Sequence, residues 1–439
     1  MEPERSNVRP RITHSPKGLY FGWWIVGISA VFHGVMGGLY QTGLSVYFLP
    51  LTRDFGISYT KLSLAFSLRA LEGGIEGPVA GFLSDRFGPK MIVLAGVLMG
   101  GFGFILLATT NSYAMFLLVF LTLLTIGFSV PYHSLAMAIN LWFRRRLGLA
   151  MSLASSGGGV GGFLLTPIIA WVVLFQGWRW AATYSGILML AIGLPLAFIV
   201  RRPSEGEASR EDSPWPPNKA TQDTCQPPSD RAMAAARPYV DFTIGETLRT
   251  NTYWLVALAI GLRLVGQSAL MVHMVPILVS KGIDEGAAAT LVAVMSLMRL
   301  PSMVGIGFLA DLWSRPKASA LTMFAGFLAA MSVVWGPSGF ITGVTFAMLF
   351  AMAQSGNSIT WALVGHYFGR RNFGTLRGGA TLIGSLMSTS GPIITGWIFD
   401  RMGSYSAALV GIGITYAISG IVFWVLKTPV KPTLRMESS

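Results

Sequence analysis

Residues 81–90 read GFLSDRFGPK, and residues 307–317 read GFLADLWSRPK. Their shared aspartates, Asp85 and Asp311, lie 226 residues apart. Two further matches keep almost the same offset. WFRRR at 142–146 corresponds to YFGRR at 367–371, with Phe143 and Phe368 225 residues apart, and Pro167 and Pro392 are also separated by 225. Unrelated coincidences would not share one spacing, so the chain reads as two like halves in tandem.

Composition says what is repeated. The chain has 439 residues, of which 52% are hydrophobic and only 12% charged, with a mean hydropathy of +0.58. A soluble domain carries about 25% charge, so most of this surface is not built to face water. Apolar blocks of about 20 residues or more, the length a helix needs to cross about 30 Å of hydrocarbon, fall at about 20–48, 58–83, 90–109, 113–140, 147–175, 180–200, 251–279, 285–310, 317–335, 339–366, 373–399 and 404–427. A membrane β-barrel would show alternating segments of about 10 residues instead. The prediction is an all-α polytopic membrane protein with 12 transmembrane helices in two six-helix parallel pseudo-repeats. Its parts are a tail at 1–19, a first bundle at 20–200, a linker at 201–250, a second bundle at 251–427 and a tail at 428–439. The linker is rich in Pro, Ser and mixed charge; such a segment buries too little to order itself and is expected to be flexible.

Twelve spans put both termini on one side. That side, with its loops, holds 24 of the 32 Lys and Arg residues; the other holds Arg53, Lys61, Arg179, Lys281 and Arg401; Arg69, Arg263 and Arg299 fall within spans. The positive-inside rule makes the terminal side cytoplasmic, in a bacterial inner (plasma) membrane. The net charge of +13 is thus a topology signal, and no nucleic-acid partner is expected. Cys225 is the one cysteine, so no intrachain disulfide forms. The first apolar block is too long for the h-region of a cleaved signal. The phosphate-binding pattern GxxxxGK[ST] is missing and the five histidines are scattered. No catalytic set, metal or cofactor is expected, and the chain is not read as an enzyme. The glycine run SSGGGVGG at 155–162 lies in an expected membrane helix, where small residues let backbones approach.

GFLSDRFGPK resembles the signature between the second and third helices of the Major Facilitator Superfamily, with its Gly, Asp, Arg, Gly and Lys all in place; the second copy is degenerate after Asp311. NLWFRRRLGLAMSLASSGGGVGG at 140–162, HYFGRRNFGTLRGG at 366–379 and the string Arg299-Leu-Pro-Ser-Met resemble the monocarboxylate-transporter-like branch and its bacterial relatives. The resemblance implies a secondary transporter working by alternating access, with Asp85, Arg86 and Asp311 holding the inward gate and Arg299 binding substrate. It also exposes departures. The mammalian monocarboxylate carriers have a first-helix lysine and an aspartate one turn before the binding arginine; here Gln41 or Thr42 stands in the first position and Met295 in the second.

Arg299 lies 12 residues before Asp311, about 18 Å deep at 1.5 Å per residue. A guanidinium at that depth must be paired or face a wet cavity, and its planar fork fits a carboxylate bidentately. It is therefore expected to anchor an organic anion, or else to pair with a glutamate of the other half. Arg69, Glu72 and Glu76 share one helix face at i, i+3 and i+7. The carboxylates lie about 20 and 13 Å before the end of their helix by the same rise. They read as a proton or charge-compensation relay or as a buried ion-pair network. Arg263 is either a second anion contact or a partner of a glutamate. Tyr132 and His133 stand where the family places polar ligands, and Asn357 and Trp361 are candidate cavity lining. The expected partners are a small organic anion such as a monocarboxylate, protons or an exchanged anion, and the lipid bilayer; no protein partner is required. Proton-coupled efflux of a hydrophobic or cationic compound, or ligand sensing without flux, stays open as an alternative.

Overall fold

The computed structural model describes residues 20–143, 146–201, 242–368, 373–426 and 429; within its helices the side chains at 73–79, 81, 85, 147, 148, 311, 358, 362, 373 and 374 lie outside the described set. The described chain is almost wholly helical. In the first half the passes are α1 (Gly22–Phe55), α2 (Tyr59–Phe87), α3 (Pro89–Ala108), α4 (Tyr113–Trp142), α5 (Leu147–Gln176) and α6 (Trp178–Ile199). In the second they are α7 (Asn251–Ser280), α8 (Glu285–Leu312), α9 (Arg315–Trp335), α10 (Phe340–Ser355 and Asn357–Phe368), α11 (Phe373–Ser388 and Ser390–Met402) and α12 (Ser406–Val425). Ten of these passes are long and apolar enough to span a bilayer. Of the other two, α2 carries Lys61, Arg69, Glu72, Glu76, Asp85 and Arg86, and α10 is interrupted at Gly356, as α11 is at Thr389. The last residues of the stretch expected to be linker form a short helix, Ile244–Leu248, whose Thr243 and Glu246 make a reciprocal capping box.

The repeat extends to turn chemistry. Gly56 and Gly282 close the α1 and α7 ends with φ of 61° and 78°, and Gly177 and Gly403 do the same after α5 and α11 with φ of 89° and 63°. Each pair is 226 residues apart, in the left-handed region that glycine enters without a Cβ penalty. Pro50 and Pro276, inside α1 and α7, keep the same offset.

Packing follows the two-fold scheme. In the first half α1 lies on α5, and α3 lies on α6 and α4; in the second α7 lies on α11 and α12, and α9 on α12 and α10. The halves meet where α5 packs on α8 and α2 on α11, with α1 against α7. Exchanging the halves turns the first of these pairs into the second and leaves the third unchanged. The glycine run at 155–162 builds two of these contacts at once. A Cβ on Gly161 would run into the backbone oxygen of Gly34 in α1, while one on Gly162 would stand 2.9 Å from Ser296 Oγ in α8. The expectation of close packing holds, and the run faces both ways.

One face bears Tyr20, Arg201 and Leu426, the ends of the described chain. We call it the terminal face and its opposite the distal face. The hydrogen bonds that cross between the halves among the described residues lie toward the distal face. Arg53 Nη2 donates to Glu285 Oε1 at 2.6 Å. The amides of Tyr59 and Thr60, at the start of α2, donate to the Asp400 carboxylate of α11 at 3.0 and 2.8 Å, and the Thr60 hydroxyl adds a bond of 2.5 Å. Deeper in, Ser63 Oγ meets His273 Nε2 at 2.9 Å. Phe48, Tyr59, Phe399 and Tyr405 pack around this seam. The conformation is closed on the distal side.

Candidate functional site

At the centre, between the halves, lies a small cavity of about 20 Å3. It is lined by Gln41 and Thr42 of α1, Gly158 and Gly159 of α5, Met271 of α7, Met295, Ser296 and Arg299 of α8, and Gln354 of α10. The structure thus brings together Arg299 and Gln41, two residues singled out from far-apart segments. Local backbone explains the α1 contribution. Residues Met36–Thr42 form a π-helical turn, a rare geometry found mostly at functional positions. Its last residue, Thr42, turns its hydroxyl back to the Gly37 carbonyl at 2.8 Å and meets Thr166 Oγ1 at 2.8 Å. Helix α4 has a matching π-helical turn at Val119–Thr125, and Tyr40 of the first turn donates to Thr125 Oγ1 of the second at 2.9 Å.

Arg299 sits midway along α8, partly buried, and Tyr132 is near enough to interact with it electrostatically. Tyr132 also packs on His33, ring centroids 4.7 Å apart, and on its neighbour His133. His33 is held by a 2.6 Å contact from Nδ1 to the Ser29 carbonyl. Among the described residues that line the cavity there is no Asp or Glu. The wall is a guanidinium, amides, hydroxyls and two thioethers.

Arg263 is placed differently. Its side chain is only 2% exposed and stands behind the cavity, inside the second half. Nη1 donates to Gln267 Oε1 at 2.6 Å and Nη2 to Asn357 Oδ1 at 3.0 Å. Its described hydrogen-bond partners are neutral amides rather than a glutamate. Asn357, next to the break in α10, is the outer end of this set. Trp361 lies one turn further along, under the guanidinium of Arg377 at 5.1 Å, and not among the cavity-lining residues.

Of the face Arg69, Glu72 and Glu76, the guanidinium of Arg69 lies 4.0 Å above the ring centroid of Tyr40. That ring is in turn stacked on Phe128 at 4.7 Å. Glu72 is half-buried on the same helix; the side chain of Glu76 lies outside the described residues. So do those of Asp85 and Asp311. Arg86 is exposed, with its guanidinium 5.5 Å from the Phe87 ring.

Two residues of the central region escaped the sequence reading, Gln267 and Gln354. Glutamine in an apolar helix is a weak signal by itself. Gln267 is one turn after Arg263, and that i, i+4 spacing was the available clue.

Two six-helix halves around a central polar cavity, joined on one face, are the architecture of membrane transporters of the alternating-access type. The model of the Major Facilitator Superfamily matches residues 26–375, and the chain belongs to that family. It is 25% identical over 397 residues to monocarboxylate transporter 13 of Bos taurus, an alignment covering 89% of this chain and 86% of the relative. It is 24% identical over 375 residues to the oxalate:formate antiporter of Oxalobacter formigenes, covering 82% of each. Among solved structures, an inward-facing, occupied bacterial homolog of the human lysosomal transporter Spinster superposes with a TM-score of 0.66 at 15% identity, covering 93% of this chain and 94% of that one. That likeness speaks to the fold. The protein is an integral membrane protein of a transporter family.

Proposed function

We propose that the protein is a secondary transporter of small organic anions, with Arg299 as the anchor for the substrate carboxylate. The observation that carries this reading is the cavity wall: a guanidinium at mid-membrane between the halves, beside amides and thioethers, with no carboxylate among the described lining residues. A bare cation in hydrocarbon is costly, and an anionic substrate supplies its counter-charge. The similarity to monocarboxylate transporters and to an oxalate:formate antiporter supports the same substrate class. A cationic cargo would meet the guanidinium with no acidic partner in the described wall, which disfavours efflux of cations.

In this reading the terminal face is cytoplasmic and the distal seam is the outer gate. The halves rock about the α5–α8 and α2–α11 contacts, and the distal bonds break as the cavity opens outward. Asp85, Arg86 and Asp311 hold the terminal gate in the opposite state. Arg69, Glu72 and Glu76 serve charge compensation in the first half, which allows a proton gradient or anion exchange to drive the cycle.

The test is uptake of labelled lactate, pyruvate and oxalate into proteoliposomes, with and without an imposed inward proton gradient. Uptake by the wild type, lost in Arg299→Gln and poorly restored by Arg299→Lys, is the expected result. Equal transport by Arg299→Lys would remove the bidentate anchor from the account.

A further inference from the structure

The amide groups behind the cavity are oriented by one cation, and the orientation carries information. A guanidinium only donates hydrogen bonds. Arg263 therefore obliges Gln267 to turn its carbonyl oxygen inward, where it accepts from Nη1 at 2.6 Å. The Gln267 NH2 then points the other way and donates to Gln354 Oε1 at 2.8 Å. Gln354 in turn must present its own NH2 to the cavity it lines. There its described acceptors are the sulfurs of Met295 at 3.5 Å and Met271 at 3.8 Å. A thioether is a weak acceptor. Gln354 is only 9% exposed, so its amide donor is held out of bulk water with no strong acceptor described, beside Arg299. Chains of hydrogen bonds running in one direction polarise each other, so the buried charge of Arg263 makes that amide a better donor than an isolated glutamine.

We propose that Gln354 is a specificity-determining contact that donates to a second oxygen of the substrate, and that Arg263 and Gln267 are positioning residues acting through it. This rests on the reading of Arg299 as the carboxylate anchor. With one carboxylate on Arg299, the Gln354 amide recognises an adjacent acceptor: a 2-oxo or 2-hydroxy oxygen, or a second carboxylate. The substrate class is thus narrowed to short acids with two neighbouring oxygen functions, and simple fatty acids are disfavoured. The thioethers of Met271 and Met295 line the short carbon skeleton between them.

The experiment compares pyruvate, oxalate and propionate as substrates and competitors in proteoliposomes, reading half-saturation and maximal rate separately. In the wild type, pyruvate and oxalate are preferred over propionate. Gln354→Leu should raise half-saturation about ten-fold or more for oxalate, whose second carboxylate is charged, and about 2- to 10-fold for pyruvate, whose 2-oxo oxygen is neutral, and leave propionate nearly unchanged. Gln267→Glu keeps an acceptor for Arg263 but cannot donate to Gln354; it should reproduce the loss of preference although residue 267 does not line the cavity. Gln267→Asn tests geometry and should recover part of it. A ligand-induced thermal shift with the same three acids checks that each variant is folded and reads binding without transport. Should Gln354→Leu, folded, keep the wild-type preference, the assignment of Gln354 is overturned while the anchor stands. Should Arg299→Gln leave uptake of every acid unchanged, the anchor falls and the Gln354 contact falls with it.

Discussion

The distal seam allows a prediction that depends on no substrate. Asp400 crosses from α11 to cap the start of α2, accepting from two backbone amides and the Thr60 hydroxyl. Replacing it by alanine leaves those donors to water. A carboxylate at an exposed helix N-terminus contributes about 0.3–1 kcal/mol, and rather more where it also accepts charge-assisted hydrogen bonds. Because Asp400 is exposed, we take about 1–2 kcal/mol for the whole cluster. That is a shift of about 5- to 30-fold in the ratio of distal-closed to distal-open molecules. Adding Arg53→Ala removes an ion pair whose arginine side chain is 64% exposed, and surface pairs contribute about 0–1 kcal/mol, so the double variant moves only a little further. The assay is a spin-label distance distribution between Asn111→Cys and Ser404→Cys, on opposite halves of the distal face, in a Cys225→Ser background. Asp400→Ala should build a longer-distance population at the expense of the wild-type peak. An unchanged distribution in nanodiscs would refute the idea that this seam holds the distal side shut.

Gly161→Leu should destabilise the first half by more than the 1–3 kcal/mol or so typical of overpacking, because the obstacle is the backbone of Gly34 rather than a movable side chain; thermal unfolding in detergent reads it. Tyr40→Leu removes the ring beneath Arg69 and should cost about 0.5–2 kcal/mol; Arg69→Met added to it should cost little more, and an additive double-mutant cycle would show that the pair is not coupled. Met295→Asp restores a carboxylate one turn before Arg299. It should weaken anion binding at neutral pH by pairing with the guanidinium, and affinity should recover as pH falls and the new carboxylate is protonated; an affinity that rises with pH would reverse the argument.

Much of the fold was legible because membrane helices are written in long runs and the repeat is written in fixed offsets. Helix boundaries agree to within several residues, with α1 running on to Phe55 where the reading stopped near residue 48, since Pro50 is accommodated within the helix. The candidate site was legible only where a residue was anomalous in its surroundings. Arg299 announced itself as a cation at mid-membrane. Gln354 and Asp400 did not, because a glutamine in a helix and an aspartate near a helix end are each ordinary until the partner is known. Arg263 shows the limit from the other side: it is as anomalous as Arg299, yet the structure places it behind the wall, bonded to amides.

The sequence by itself determined the solvent, the number of passes, the tandem repeat and the family, because each depends on local composition or on spacing along the chain. Tertiary structure alone decided which of the mid-membrane arginines meets the cavity, which face of the molecule is closed, and where the Gln354 amide points. Those depend on partners such as Thr60 and Asp400, 340 residues apart, and on the direction of donors along a chain of amides set by one buried cation. Neither is encoded in any window of sequence short enough to read.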